Sequence, residues 1–234
     1  ESINKINVDS KAMQNVLKQI SVLDKTNILL KRKKIISTLK DILVILILPL
    51  REFIIRIFQL LLFKLFLKAN IEIPNYPITL IDTFALPGYY SKDRYYNGLW
   101  PALNDFEKKE IYFVPTIVMT KWNKMFSAYK ELINADRQYI FREKYLKFSD
   151  IIYAVLYPIR IQFFKTKSTL VNNIDYSSLI SGDFRKRGSY SLAIEGLINY
   201  RFIKRLKKNK FMINRFIDWW ESQALDKGLH KGLN

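Results

Sequence analysis

Residues 78–85 have the sequence ITLIDTFA, a β-branched and apolar run that contains one carboxylate, Asp82. Such a run is typical of a strand buried within a sheet. Residues 111–119, IYFVPTIVM, are a second strand candidate, in which Pro115 favours an edge or loop position for the far half. The residues between them, from about 97 to 107, have a helical pattern. This order predicts an α/β fold with a Rossmann-like parallel sheet.

The chain after these strands is predicted to be largely helical. Residues 121–164 are mostly helical, with a kink or helix end expected at Pro158, and residues 171–180 are ambiguous. The remaining predicted elements are a loop at 181–189, a strong helix at 190–206 and a helix at 211–225 that is closed by Gly228. These segments indicate helical insertions around a parallel sheet.

The segment from 31 to 68 joins a basic cluster to a long run of Leu, Ile and Phe. Arg51, Glu52 and Arg56 fall near its middle, so the cost of placing these charges in a bilayer roughly cancels the gain from the apolar residues. Pro49 interrupts the helical pattern. We therefore predict a membrane-associating insertion of two helices, broken at Pro49, that lie on the membrane surface. A buried helical hairpin in a soluble core is the alternative.

The residues expected to bind the membrane carry either a positive charge or a phenyl ring. Cations are attracted to anionic headgroups, and apolar rings are buried at the headgroup boundary. The predicted set is Lys31, Arg32, Lys33, Lys34, Phe53, Phe58, Phe63 and Phe66. The expected division of the chain is an amphipathic helical segment at 1–30, the membrane-associating helices at 31–70 and an α/β domain at 71–234.

The composition predicts an anionic partner, because the formal charge is +18 and the isoelectric point is near 9.8. Lipid headgroups, sugar nucleotides and nucleic acids all qualify. The sequence has no RNA-binding aromatic signature and no zinc-finger spacing, so nucleic acid is the least favoured partner. It has no cysteine and one histidine, His230, which argues against thiolate and His-rich metal sites. We expect no metal and no cofactor, and a cytoplasmic location peripheral to the inner membrane.

The first candidate binding residues lie in and after residues 78–85. In an open α/β sheet, ligands bind beyond the carboxyl ends of the strands. Asp82 lies in the predicted strand and Arg94 in the loop that follows it. A carboxylate accepts hydrogen bonds from sugar hydroxyls, and a guanidinium group binds phosphate oxygens in a bidentate manner. A solvated loop that caps the next helix is the alternative.

A second candidate is the loop SGDFRKRGS at residues 181–189, which precedes a predicted helix. Backbone N–H groups at a helix start, with three cations nearby, can bind phosphate. Ser189 is the residue expected to contact the ligand. The loop lacks the glycine spacing of a P-loop, and a simple capping turn is the alternative.

The last candidate is the string WWESQALDKGLHKG at residues 219–232. Glu221 and Gln223 place a carboxylate and an amide beside two tryptophans of the kind that stack on sugars. Glu221 or His230 could act as the general base for an acceptor hydroxyl. Burial of the tryptophans in the core is the alternative.

The chain resembles the amino-terminal half of bacterial surface-polysaccharide biosynthesis proteins with a two-domain glycosyltransferase fold. The resemblance covers residues 31 to 234 and rests on the basic apolar segment, ITLIDTFA, DRYYNGLWPAL, IYFVPT and the final WWESQALDKGLHKG. Ser222 stands where the family pattern leads us to expect Asn.

The resemblance implies transfer of a sugar from a nucleotide-sugar donor to a lipid-linked surface glycan at the inner membrane face. This half would bind the acceptor, while a second Rossmann domain, absent from this chain, would bind the donor, so that the chain alone would be inactive. Glu221 is the expected catalytic carboxylate, and metal is not required. The expected substrate-binding residues are Asp82, Arg94, Ser189, Gln223 and His230. The alternatives are a non-enzymatic membrane-peripheral scaffold and a nucleic-acid-binding protein.

Overall fold

The computed structural model describes most of the chain. The described residues are 5–8, 11–19, 27–30, 35–67, 73–92, 94–96, 98–185, 187–218 and 224–234. The chain divides into two compact units, residues 1–52 with 155–191 and residues 53–154 with 192–234. The expected division at residues 30 and 70 stays a prediction.

The described elements are short strands and helices. The strands are β1 Lys5–Val8, β2 Asn27–Leu30, β3 Ile78–Ala85, β4 Ile111–Ile117, β5 Leu170–Val171, β6 Ile174–Asp175 and β7 Ile213–Ile217. The helices are α1 Lys11–Lys18, α2 Ile35–Phe66, α3 Leu99–Ala102, α4 Asp105–Glu110, α5 Met125–Ile133, α6 Arg142–Tyr145, α7 Phe148–Val155, α8 Tyr157–Phe163, α9 Ser177–Phe184, α10 Tyr190–Lys208 and α11 Ala224–Leu233. Several helices follow one another between β4 and β5.

The first unit contains two small sheets. Strands β1 and β2 are parallel, with Lys5 opposite Asn27, and β5 and β6 form an antiparallel hairpin. The hairpin turn is Asn172-Asn173, whose φ angles of 50° and 63° lie in a left-handed region that Asn tolerates. The expectation of one amphipathic helix over residues 1–30 is wrong, because β1 and β2 satisfy each other's backbone groups and only α1 is helical among the described residues there.

Helix α2 is continuous through Pro49, so the predicted break at this residue is also wrong. Proline removes one backbone donor, but apolar runs that contain Leu, a good helix former, continue on both sides of it. Elsewhere proline behaves as expected, since Pro158 lies in the first turn of α8, after the end of α7.

The second unit is built on a three-stranded parallel sheet with the strand order β4-β3-β7. The central strand, β3, pairs with β4 from Thr79 opposite Ile111 to Ala85 opposite Ile117. Most of the side chains of β3 and β4 are buried, as their apolar sequences predict. Both strands predicted from sequence are therefore confirmed, and the fold is mixed α/β.

An aromatic core covers one face of this sheet. It includes Ile81 of β3, Phe113 of β4, Phe63 of α2 and Tyr129 of α5, each at most 2% exposed. The ring of Phe63 lies 5.4 Å from that of Tyr129. Burial of several aromatic rings at these separations contributes a large share of the unit's hydrophobic stabilisation.

Strand β7 corrects the predicted helix at 211–225. Residues 213–217 form a strand whose Ile217 lies opposite Ile81 of β3. The chain reverses before it at Lys210, which has a φ of 64° and follows the end of α10. The sequence INRFI is as compatible with a strand as with a helix, and pairing with β3 decides between them. Residues 219–223 lie outside the described part of the chain.

Helices α10 and α11 flank β7 in the chain and are in close contact through glycine. A β-carbon built on Gly228 of α11 would lie 1.9 Å from the carbonyl oxygen of Gly196 on α10. One on Gly232 would lie 2.7 Å from Cβ of Ile203. The contact order, Gly228 with Gly196 and then Gly232 with Ile203, shows that the two helices run in the same direction. This is the arrangement expected when both cover a parallel sheet.

Among the described residues, no helix combines the length and the apolar character needed to cross a bilayer.

Candidate functional site

The parallel sheet opens beyond Asp82. Strand β3 pairs with β7 only as far as Ile81 opposite Ile217, whereas its pairing with β4 continues to Ala85. The sheet order also reverses here, because the chain runs from β3 to β4 on one side and then returns to β7 on the other. Ligands of open α/β sheets bind at such a point, beyond the carboxyl ends of the strands. We call the region around Asp82 and Asp218, the residue after Ile217, the crevice.

Asp82 is a buried carboxyl group at the floor of the crevice. The residue is 6% exposed, and its Oδ1 atom is buried without a hydrogen-bond partner among the described residues. The pKa of Asp82 is raised to about 7. Burial is the main cause, Arg142 lowers the pKa, and the carboxylates of Glu195, Asp218 and Asp226 raise it. A carboxyl group with a pKa near neutrality can exchange a proton with a bound hydroxyl.

Asp218 forms the rim of the crevice with His230. Oδ2 of Asp218 lies 3.0 Å from Nε2 of His230, which α11 brings back to the end of β7. The imidazole also packs edge-on against Phe216, with ring centroids 5.7 Å apart. About 43% of the His230 side chain is exposed, whereas only 10% of the Asp218 side chain is, so the imidazole is the more accessible member of the pair. Such a pair can hold an imidazole in a fixed orientation.

A buried ion network lies close to Asp82. Arg142 of α6 donates from Nη1 to Glu195 of α10, and the same Nη1 donates to Oδ1 of Asn199 at 2.6 Å. Arg56 of α2 contacts the second oxygen of Glu195 at 2.6 Å. Burial alone would raise the pKa of Glu195, but the two guanidinium groups lower it to about 2. Burial alone would lower the pKa of Arg142, but the carboxylates of Glu195 and Glu143 raise it.

A small cavity borders this network. It has a volume of about 10 Å³ and is lined by Arg56, Gln59, Arg142 and Glu143 together with apolar side chains. This is close to the space that one water molecule needs. In the described part of the chain, buried atoms of Arg142 and Glu143 lack hydrogen-bond partners. The cavity is too small for a sugar or a nucleotide.

The residues predicted from sequence to bind substrate are distributed over both units. Asp82 and His230 lie at the crevice, as described above. Arg94 is exposed in the loop after β3, with its guanidinium 5.9 Å from the centre of the Tyr95 ring. Ser189 is exposed and belongs to the first unit. Glu221 and Gln223 lie outside the described residues.

The residues predicted to bind the membrane also differ in their surroundings. Phe63 is 2% exposed, within 4.9 Å of the Phe141 ring, so it belongs to the core and the prediction that it faces lipid is corrected. Phe66 is 67% exposed, and Phe53 and Phe58 are half-buried. The basic cluster Lys31, Arg32, Lys33 and Lys34 lies outside the described residues.

Sequence reasoning missed four charged residues near Asp82, namely Asp218, Asp226, Arg142 and Glu195. Asp218 was hidden by the assignment of its segment to a helix, although it directly follows a β-compatible run. Glu195 and Asn199 lie among buried isoleucines on α10, at helical spacing, and polar residues within an apolar helix face are a recognisable signal. Nothing local in the sequence marks Arg142 as buried.

The crevice offers carboxylates, an imidazole and no metal cluster. Among the described residues, no group of three or more His, Cys, Asp or Glu side chains is placed to hold a metal ion. Carboxylate and imidazole groups can bind hydroxyl groups and transfer protons. Comparison with protein-family models, with curated proteins and with solved structures found no match to this chain.

Proposed function

We propose that the second unit is the acceptor-side domain of a glycosyltransferase with a Rossmann-type sheet. In this proposal the crevice binds a sugar hydroxyl of a lipid-linked glycan, and a nucleotide sugar is the donor. The observation that carries the proposal is the placement of Asp82 beside Asp218 and Asp226 at the point where β3 and β7 part, with an Oδ1 atom that is buried and has no hydrogen-bond partner in the described part of the chain. The sheet order and the position of the crevice are those of ligand-binding α/β domains.

The reaction needs a base for the acceptor hydroxyl. As the acceptor oxygen bonds to the anomeric carbon of the donor, the bond from that carbon to the nucleoside diphosphate breaks, and the base takes the hydroxyl proton. Two carboxyl groups are candidates for this base. Glu221 is the candidate from sequence. Asp82 is the candidate from geometry, because it lies where β3 and β7 part and its buried Oδ1 has no partner among the described residues. Its raised pKa, about 7, is compatible with this role.

Asp218 and His230 are proposed to orient the acceptor sugar. A carboxylate accepts hydrogen bonds from neighbouring hydroxyls, and a half-exposed imidazole beside it can donate or accept one. Exposed Arg94, in the loop after β3, is proposed to bind the pyrophosphate of the lipid carrier. These roles use side chains of the second unit only.

The test measures binding of the acceptor rather than turnover. The chain is titrated with anionic vesicles that contain a polyprenyl-pyrophosphate-linked oligosaccharide and with the same vesicles without it. We expect the chain to bind vesicles with the acceptor more tightly than vesicles without it. Asp218→Asn should weaken binding to the acceptor-containing vesicles at least about tenfold, since a hydrogen bond to a charged group is worth roughly 1.5–3 kcal/mol. Asp105→Asn, which changes an exposed carboxylate on α4, is the matched control.

Equal binding to both kinds of vesicle would overturn the proposal and leave the non-enzymatic scaffold as the better interpretation. In a complete enzyme that also has the donor domain, transfer of a radiolabelled sugar to a lipid-soluble product by Glu221→Ala and Asp82→Asn variants shows which carboxyl group is the base. The nucleic-acid alternative predicts steeply salt-dependent binding to duplex DNA or RNA. A titration with nucleic acid in place of the vesicles detects such binding.

A further inference from the structure

One side of α2 in the second unit carries exposed aliphatic residues. Ile54, Leu61 and Leu65 are 51%, 46% and 64% exposed. Their spacings of seven and four residues place them on one side of the helix. Phe63, by contrast, points into the aromatic core. The helix thus has one face in the core and another in solvent. We call the exposed face, formed by Ile54, Leu61 and Leu65, the apolar face.

Aromatic side chains extend the apolar face on two sides. Phe58 of α2 contacts Trp122, with ring centroids 5.2 Å apart, and Phe53 contacts Phe148, with centroids 5.5 Å apart. Trp122 is 49% exposed and Phe148 is 52% exposed. Contiguous apolar surface of this kind commonly marks a site of interaction with another protein or with a membrane.

Exposed lysines accompany both outer rings. Lys121 directly precedes Trp122, and Lys124 is two residues after it. Lys147 directly precedes Phe148. Protein interfaces are depleted in lysine, whereas aliphatic residues bordered by tryptophan and lysine are typical of segments that bind anionic membrane surfaces. The charge of these lysines complements lipid headgroups.

We propose that the apolar face docks on an anionic lipid surface. Ile54, Leu61 and Leu65 enter the boundary between headgroups and acyl chains, Trp122 and Phe148 lie at headgroup level, and the lysines contact the phosphates. This deepens the proposed function by naming the surface of the second unit that meets the membrane. It holds or fails independently of the sugar chemistry.

The absence of cysteine from the chain allows a site-specific test. A polarity-sensitive fluorophore is attached to Leu65→Cys on the apolar face or, as a matched control, to Phe106→Cys on α4, where the native side chain is 70% exposed. Vesicles of phosphatidylglycerol and phosphatidylcholine are compared at low salt. We expect a blue shift for the label at position 65 with the anionic vesicles and no shift at position 106.

The lysines are tested by flotation of Lys121→Gln, Lys124→Gln and Lys147→Gln variants. Each loss is expected to weaken partitioning into anionic vesicles about fivefold. If the chain floats while the label at position 65 does not respond, another segment binds lipid and the proposal is overturned. It is also overturned if that label is buried without vesicles and sedimentation shows a dimer, because a second copy then covers the face. Loss of acceptor-dependent binding with the blue shift intact would contradict only the proposed function.

Discussion

The carboxylate of Glu195 and the guanidinium group of Arg142 form an ion pair in the interior of the second unit, where the Arg142 side chain is only 3% exposed. The two partners differ in what remains if the other is lost. Glu195 would keep Arg56, whose Nη2 lies 2.6 Å away. Arg142 would keep neutral Asn199 and the neighbouring carboxyl group of Glu143. Loss of Glu195 therefore leaves more unpaired charge in the interior than loss of Arg142 does.

We predict that Glu195→Gln lowers the free energy of unfolding more than Arg142→Met does. Removing the carboxylate leaves two guanidinium groups without their shared partner, and breaking a buried pair in this way costs roughly 3–5 kcal/mol. Methionine at position 142 retains much of the aliphatic packing and leaves Glu195 paired with Arg56. Urea denaturation followed by circular dichroism measures the free energy of unfolding of both variants. An equal or larger loss for Arg142→Met would show that the network is not centred on Glu195.

The free energy of unfolding is predicted to depend on pH through the titration of Asp82. Its pKa is about 7 in the folded protein and 3.8 as the unperturbed reference, so between these values the folded protein keeps a proton that the unfolded chain releases. Stability should therefore fall as the pH rises from about 4 to 7 and change little above that. The full effect of such a shift is on the order of 4 kcal/mol.

Asp82→Asn should remove this contribution. We expect wild type and variant to unfold at similar urea concentrations at pH 4, and the variant to be more stable by a few kcal/mol at pH 8. Arg142 weakens the effect, whereas Glu195, Asp218 and Asp226 strengthen it. The exposed carboxylate of Asp105 provides the control substitution, Asp105→Asn. Parallel pH profiles for wild type and Asp82→Asn would mean that the pKa of Asp82 is not raised in the folded protein.

The sequence predicted those parts of the fold that depend on local composition. The run at residues 78–85 and the run at 111–117 are unusually rich in β-branched and aromatic residues, and both are strands of a parallel sheet. The strand at Ile213–Ile217 was missed because five residues with no strict alternation acquire a strand conformation only by pairing with β3. Short segments of this kind are decided by tertiary contacts.

The site was less predictable than the fold for the same reason. Asp82 was recognisable as a carboxylate inside an apolar run, and His230 as the chain's single histidine. The pairing of His230 with Asp218 depends on the strand that sequence reasoning had assigned to a helix. Phe63 was misplaced because an apolar helix with two hydrophobic faces does not reveal from sequence which face enters the core.

The close approach of α10 and α11 gives the last prediction. A β-carbon at position 228 would lie 1.9 Å from the backbone oxygen of Gly196, far inside van der Waals contact, and a backbone atom cannot move aside as a flexible side chain can. Gly228→Ala should therefore destabilise the second unit by about 3 kcal/mol, the upper end of the usual cost of overpacking, although alanine favours the helix itself.

Gly98→Ala is the matched control, because the added methyl group meets nothing within 4 Å there. Thermal or urea unfolding of both variants measures the difference, which we expect to be several degrees or more in the melting temperature. Since α11 also carries His230 to the end of β7, displacement of the helix in Gly228→Ala should disturb the contact between His230 and Asp218 as well. A Gly228→Ala protein as stable as Gly98→Ala would show that α10 and α11 do not approach as closely as described.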